Sequence, residues 1–278
     1  MQRLGVPMTK PVTPTPTAQA FASAVQPVAA DTLIITDTEG LVASDVSIPT
    51  NDGAIPGYRA VPEGANAPPI VLVVQEIFGL HEHIKDVVRR LAKRGYLAVA
   101  PELSYRQGDV SKLPSLEAIF AVIRTIPDAQ VLSDLDATAE WAKAQGGDPK
   151  RLAVTGFCWG GRVTWLYAAH QPEVRAAVAW YGRLEGDRTP TAPRFPIDVV
   201  AELDAPVLGL YGGSDQSIPL ESVERMRRAL EGQKSRSEVH VYPHAPHAFY
   251  ADYRPSYRKD AAEDGFRRLL EWFARAGV

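Results

Sequence analysis

The single cysteine of this 278-residue chain, Cys158, lies in Gly156-Phe157-Cys158-Trp159-Gly160-Gly161. A lone cysteine most often packs as a small hydrophobe. It cannot form an intramolecular disulfide, which excludes a disulfide-stapled secreted fold. Its neighbours suggest chemistry instead. The run RLAVTGF (151–157) has strand character, and a helix is expected from about Trp159 to His170. The cysteine therefore falls on the turn between them, in the spacing G-x-nucleophile-x-G. Such a turn strains the nucleophile's backbone and leaves room only for glycine two positions to either side. It also sets the thiol at a helix N-terminus, where the dipole favours thiolate. The N–H of Trp159 then points into the same space as half of an oxyanion hole.

A nucleophile of this kind needs a base, and the base needs an orienting acid. On nucleophile-elbow folds the chain order is nucleophile, acid, histidine. Asp215 follows the strand-like PVLGLYG (206–212), whereas Asp204 precedes it, at the wrong edge. His244 and His247 follow the last strand, in VYPHAPHAFY. His247 is favoured because an apolar segment leads from it towards the C-terminal helix, and His244 is the fallback. Asp215 alone reads equally well as a turn carboxylate. The two histidines have no third ligand at a readable spacing, so no metal and no cofactor are expected. Glu76 directly follows IVLVVQ, where a partly desolvated carboxylate would lie near the nucleophile as an alternative base. Its other reading is an exposed loop carboxylate. The N–H of Ile77 would supply the second oxyanion donor. His81 and His83, two apart at a helix start, are expected to face different directions and to be exposed or capping.

The elements that must position these residues alternate. Short β-branched runs at 70–74, 96–100, 151–157, 176–182, 206–212 and 238–243 are separated by helical spacings at 83–94, 128–145, 159–170, 221–230 and 257–276. Strict strand–helix alternation implies a parallel sheet with helices on both faces. Before it, VASDVSI and AIPGYRAV flank Asn51-Asp52-Gly53 as an antiparallel hairpin. The expected fold is α/β: an α/β-hydrolase fold, with one domain over 31–278. Residues 1–30, Pro- and Thr-rich at 9–20, would form an extended or flexible arm.

Taken together, QEIFGL (75–80), APELSYRQ (100–107), GFCWGG (156–161), YGGSDQSIP (211–219) and PHAPHAF (243–249) resemble the dienelactone hydrolase (carboxymethylenebutenolidase) family over about residues 40–276. The resemblance implies hydrolysis of a lactone or enol ester through Cys158, His247 and Asp215. It implies that Glu76 guards the resting thiol until substrate arrives. It also implies that Arg106 binds a substrate carboxylate, with Tyr105 and Phe78 beside it as substrate-binding residues. The sequence departs from the family in one respect. A second arginine shortly after the histidine is replaced by Ala248-Phe249-Tyr250-Ala251, with Arg254 next. Arg188 and Arg194, on an insertion-like segment over 183–203, are further candidates for that role.

The expected partner is a small-molecule lactone or ester, and a carboxylate-bearing one would suit the arginine. A net charge of −3 displays no basic field for nucleic acid. No apolar run is long enough to span a bilayer, and Val28-Ala29-Ala30 has no apolar region ahead of it, so a cytoplasmic location is expected. Three rivals remain open: a broader carboxylesterase or thioesterase with the same triad, a non-catalytic binding protein on this fold, and a redox sensor. The sensor reading is weakened because no resolving cysteine exists. Oligomeric state is not legible.

Overall fold

The computed structural model describes residues 16–278. Eight strands form one sheet: β1 (Leu41–Thr50), β2 (Gly53–Pro62), β3 (Pro69–Val74), β4 (Leu97–Pro101), β5 (Asp148–Phe157), β6 (Val174–Trp180), β7 (Val207–Gly212) and β8 (Glu238–Tyr242). Their spatial order is β1-β2-β4-β3-β5-β6-β7-β8. β1 and β2 form the antiparallel hairpin and join β4 antiparallel, while all pairs from β4 to β8 are parallel. Every residue of β4 and β7 is buried. This explains their unbroken apolar runs, since both faces of a parallel sheet must be covered.

The helices are α1 (Glu82–Ala92), α2 (Leu116–Ile123), α3 (Asp128–Ala144), α4 (Trp159–His170), α5 (Leu220–Leu230) and α6 (Lys259–Arg275). Helix α2 is not among the elements expected from sequence. It has only eight residues and leaves Leu116 and Phe120 exposed, so its apolar pattern looks like loop. It forms because the Ser115 side chain caps its N-terminus by accepting from the Ala118 amide at 3.2 Å. Among the described residues no helix is long and apolar enough to cross a membrane.

The expected arm over residues 1–30 lies outside the described residues as far as residue 15. From residue 16 the chain runs across the body. Phe21 and Ala22 are buried. The Ala29 amide donates to the Tyr253 carbonyl at 2.9 Å and Thr32 Oγ1 to the Asp252 carbonyl at 2.6 Å. The segment over 183–203 is pinned by a buried bidentate pair, Arg162 to Asp128 at 2.7 Å for both bonds, with the guanidinium 4.8 Å from the centre of the Phe195 ring.

Candidate active site

Cys158 stands between β5 and α4 with φ 56° and ψ −114°, a left-handed conformation costly for a non-glycine residue. Its surroundings enforce it. The Cys158 amide donates to the Trp180 carbonyl at 3.0 Å. A Cβ on Gly160 would meet the carbonyl oxygens of Val74 and Gln75 at 2.4 Å, and one on Gly156 would meet the Gly160 carbonyl oxygen at 2.4 Å. These glycines let the start of α4 press against the end of β3, so the elbow is fastened to the strand that carries Glu76. In register, Val74 lies opposite Gly156, and Glu76 and Cys158 each follow two residues beyond that pair.

His247 Nε2 lies 3.2 Å from Cys158 Sγ, and His247 Nδ1 lies 2.7 Å from Asp215 Oδ2. The other carboxylate oxygen of Asp215 accepts from the amides of Ser217 (2.7 Å) and Ile218 (3.1 Å). The acid is thereby fixed in one orientation. The Tyr181 ring packs edge-on against the imidazole at 5.2 Å. Burial works against a charge on His247, but Asp215 and Cys158 outweigh it and hold the imidazolium up to about pH 10. The arrangement can therefore carry a thiolate–imidazolium pair. His244, the fallback histidine, is exposed. Among the described residues, the N–H of Ile77 meets no acceptor. That of Trp159, the first residue of α4, has no partner one turn back. Two such amides beside a thiol can receive an oxyanion.

Glu76 is fully buried and receives the Tyr253 hydroxyl at 2.6 Å. Burial alone would raise its pKa, but His81, His83 and Arg254 outweigh it and hold the carboxyl at about 2. No hydrogen bond joins Glu76 to Cys158, so the thiol faces His247 rather than the guarding carboxylate that the resemblance implied.

Two expectations are corrected. Arg106 is not offered to a ligand. Its guanidinium is bound to Asp134 (2.6 and 3.1 Å), Thr50 (2.7 Å) and Asp52, tying its loop to α3 and to the hairpin turn. Its fork already holds two carboxylates, so a substrate carboxylate would have to displace one of them. His81 and His83 are neither exposed nor capping: both are buried, their rings stack at 6.2 Å, and the His81 side chain caps nothing. They lie on the core side of the turn into α1, packed against Tyr253 at 5.1 and 4.9 Å. Spacing alone cannot show this.

Of the remaining arginines, Arg188 is paired with Asp198 and Arg194 with Glu202, both at the surface. Arg254 differs. Among the described residues its side chain has no ion pair and no hydrogen bond. It lies 5.4 Å from the centre of the Phe78 ring, close enough to feel Glu76, Tyr253, Cys158 and Tyr181. Phe78 is buried and serves as that platform, whereas Tyr105 is half exposed. Sequence reasoning also missed Glu102. It accepts from Gln75 Nε2 (3.0 Å), the Leu80 amide (2.6 Å) and Ser104 Oγ (2.6 Å), and so holds the loop bearing Glu76 and Ile77. Its signal was present in APELSYRQ but was read only for its arginine. Among the described residues no group of three or more His, Cys, Asp and Glu side chains is gathered to hold a metal ion.

The mostly parallel sheet, the strained elbow and the contact series Cys158–His247–Asp215 at its C-terminal edge define the α/β-hydrolase fold. The model of the dienelactone hydrolase family matches residues 55–277, and the chain belongs to that family, whose members hydrolyse ester bonds. It is 59% identical over 263 residues to a Methylorubrum extorquens protein named "Putative carboxymethylenebutenolidase", covering 94% of this chain and 90% of the relative. It is 32% identical to a Bradyrhizobium protein named "Probable 2-oxo-3-(5-oxofuran-2-ylidene)propanoate lactonase", covering 84% of this chain and 94% of the relative. The crystal structure of a protein described as "Putative Dienelactone Hydrolase" from Klebsiella pneumoniae superposes with a TM-score of 0.83 at 54% identity, covering 84% of this chain and 98% of that one.

Proposed function

We propose that this enzyme opens a lactone or enol ester through a thioester on Cys158, with His247 and Asp215 completing the triad. The observation that carries the reading is the unbroken contact series from Sγ to imidazole (3.2 Å) to a fixed carboxylate (2.7 Å). The thiolate attacks the ester carbonyl, and the developing oxyanion turns to the amides of Ile77 and Trp159. One such donor is typically worth about 2.7–4 kcal/mol. The tetrahedral intermediate collapses, the C–O bond breaks, and the imidazolium gives its proton to the leaving oxygen. Acylation removes the sulfur's negative charge, which had helped hold the imidazolium. The neutral imidazole, still oriented by Asp215, then takes a proton from water. The hydroxide attacks the thioester carbonyl, the C–S bond breaks to release the product acid, and the thiolate–imidazolium pair is restored. A thiolate suits good leaving groups such as enolates and is poorly matched to amides.

The reading extends to the substrate. A cation with no ion pair or hydrogen bond among the described residues, stacked on Phe78 and within reach of the thiol's charge, favours an ester that bears its own carboxylate. Arg254 takes that role in place of Arg106. The lactone named in the Bradyrhizobium relative is itself a propanoate, which supports this class. The test is Cys158→Ala with intact-mass spectrometry. Hydrolysis is lost, and the wild-type enzyme, quenched during turnover of a slow ester, carries one acyl group that the variant lacks. Turnover retained by Cys158→Ala sinks the proposal.

A further inference from the structure

Behind the Glu76 carboxylate lies a group of buried polar atoms that the chemistry above does not use. Glu76 Oε1, both ring nitrogens of His81, both of His83 and Asp252 Oδ1 have no hydrogen-bond partner among the described residues. A concentration of such atoms in a native interior calls for a functional explanation. His81 Nε2 stands 3.8 Å from Glu76 Oε2, and His83 Nδ1 stands 3.3 Å from Asp252 Oδ1. Only one residue of the N-terminal arm closes this chamber with a ring. Phe21 stacks on Tyr253, the donor to Glu76, at 5.7 Å and 27°, and meets the His81 ring at 6.1 Å. A cleft of about 550 Å³ lies between the arm and the start of α1, and Phe21 and His81 both stand in its wall with Leu80, Lys85 and Lys112. The His81 side chain is nonetheless only 1% exposed, with the Phe21 ring beside it.

We propose that His81 is a positioning residue for the charge of Glu76, and that Phe21 of the N-terminal arm keeps His81 neutral by excluding water from it. The inference rests on reading Cys158 as the nucleophile with Glu76 beside it. The charged and titratable groups around His81 are Glu76 from the loop after β3, His83 from α1, Glu102 after β4 and Tyr253 from the loop before α6, with Glu82, Lys85 and Lys112 in the same cleft wall; Asp252 and Arg254 flank Tyr253 in the chain, and Asp252 meets His83. The described part of the arm, residues 16–30, carries no charged side chain; its Phe21 and Ala22 are buried, and its Gln19, Ser23 and Gln26 line the cleft. Burial pushes the imidazole down from its ordinary pKa although Glu76 pulls the other way. A neutral His81, 3.8 Å away, leaves the charge of Glu76 uncancelled, so that the carboxylate acts on Arg254 at full strength. A protonated His81 would pair with Glu76 and change the net charge beside the thiol by one.

The test follows His81 by its ring-proton resonance and the enzyme by kcat/KM for a neutral ester, from pH 5 to 8.5. In the wild type, the His81 midpoint lies below the ordinary value. In Phe21→Ala it titrates near the ordinary value of about 6.5, and kcat/KM acquires an inflection of at least threefold at the same pH. The double variant Phe21→Ala/His81→Gln lacks that inflection. Titration of wild-type His81 near 6.5, or a Phe21→Ala profile parallel to the wild type, overturns the proposal. If Phe21→Ala does not fold, His81→Leu and His81→Gln decide with the arm intact. Leu moves the acid limb of kcat/KM up by about one pH unit or more, Gln restores it, and identical behaviour of the two overturns the proposal. None of these outcomes bears on whether Cys158→Ala retains turnover, so the two readings fail separately.

Discussion

Replacing Asp215 by asparagine tests the triad at the point where the structure makes the sharpest statement. One carboxylate oxygen accepts from the Ser217 and Ile218 amides, and the other meets His247 Nδ1 at 2.7 Å. In Asp215→Asn the side-chain oxygen must keep the two amides, because an NH2 turned towards them would set donors against donors. The NH2 then faces His247 Nδ1. The imidazole can satisfy it only by placing its lone pair on Nδ1 and its proton on Nε2, pointing at Cys158. That tautomer cannot take a proton from the thiol or, later, from water. Charge is lost as well. Raising His247 from 6.5 to about 10 corresponds to roughly 5 kcal/mol in favour of the imidazolium, of which Asp215 supplies a large part. We expect kcat to fall by about 10⁴-fold, the size of the tautomer effect in a comparable triad, with the unfolding temperature changed by only a few degrees. The pH dependence has a definite sign. The folded pKa of His247 is raised, so its contribution to stability is complete below the unfolded value of 6.5 and is lost as pH rises through about 10. The variant should lose that alkaline slope in a series of thermal melts. A variant that keeps more than a tenth of wild-type kcat, or whose melts keep the wild-type alkaline slope, refutes the argument.

Two further predictions concern the pocket and the elbow. Arg254→Met keeps an apolar stem against Phe78 but removes the charge; a charge-assisted contact is worth about 1.5–3 kcal/mol, so kcat/KM for a carboxylate-bearing lactone should fall roughly 10–150-fold and far less for an uncharged ester, whereas equal losses on both substrates would remove Arg254 from carboxylate recognition. Gly160→Ala drives a methyl into two main-chain carbonyl oxygens at 2.4 Å, which no side-chain rotation relieves, so thermal unfolding should report a loss of about 1–3 kcal/mol and kcat should drop as the Ile77 and Trp159 amides separate; a variant as stable and active as the wild type would show that the close approach of α4 to β3 is not needed.

The fold and most of the proposed triad are local properties, and local properties can be read from residues. Alternating buried runs and amphipathic helices announce a parallel sheet, because burial on both faces demands apolar residues at every strand position. Gly156 and Gly160 announce the elbow, because only glycine survives main-chain contacts that close. Chain order then suggests Asp215 and His247. Tertiary structure alone could decide which side chains are already engaged. Arg106 has the right type and follows the right strand, yet Asp52 and Asp134, distant in sequence, take up its charge. Arg254 sits outside every quoted motif, yet among the described residues it has no ion pair or hydrogen bond and lies within reach of the thiol's charge. His81 and His83 differ by two positions, which suggests opposite faces, but both are buried, His81 against Phe21 of the arm and His83 against Tyr250 and Tyr253. Sequence declares what a residue could bind. Only the packing of distant segments determines whether a partner inside the protein has bound it first.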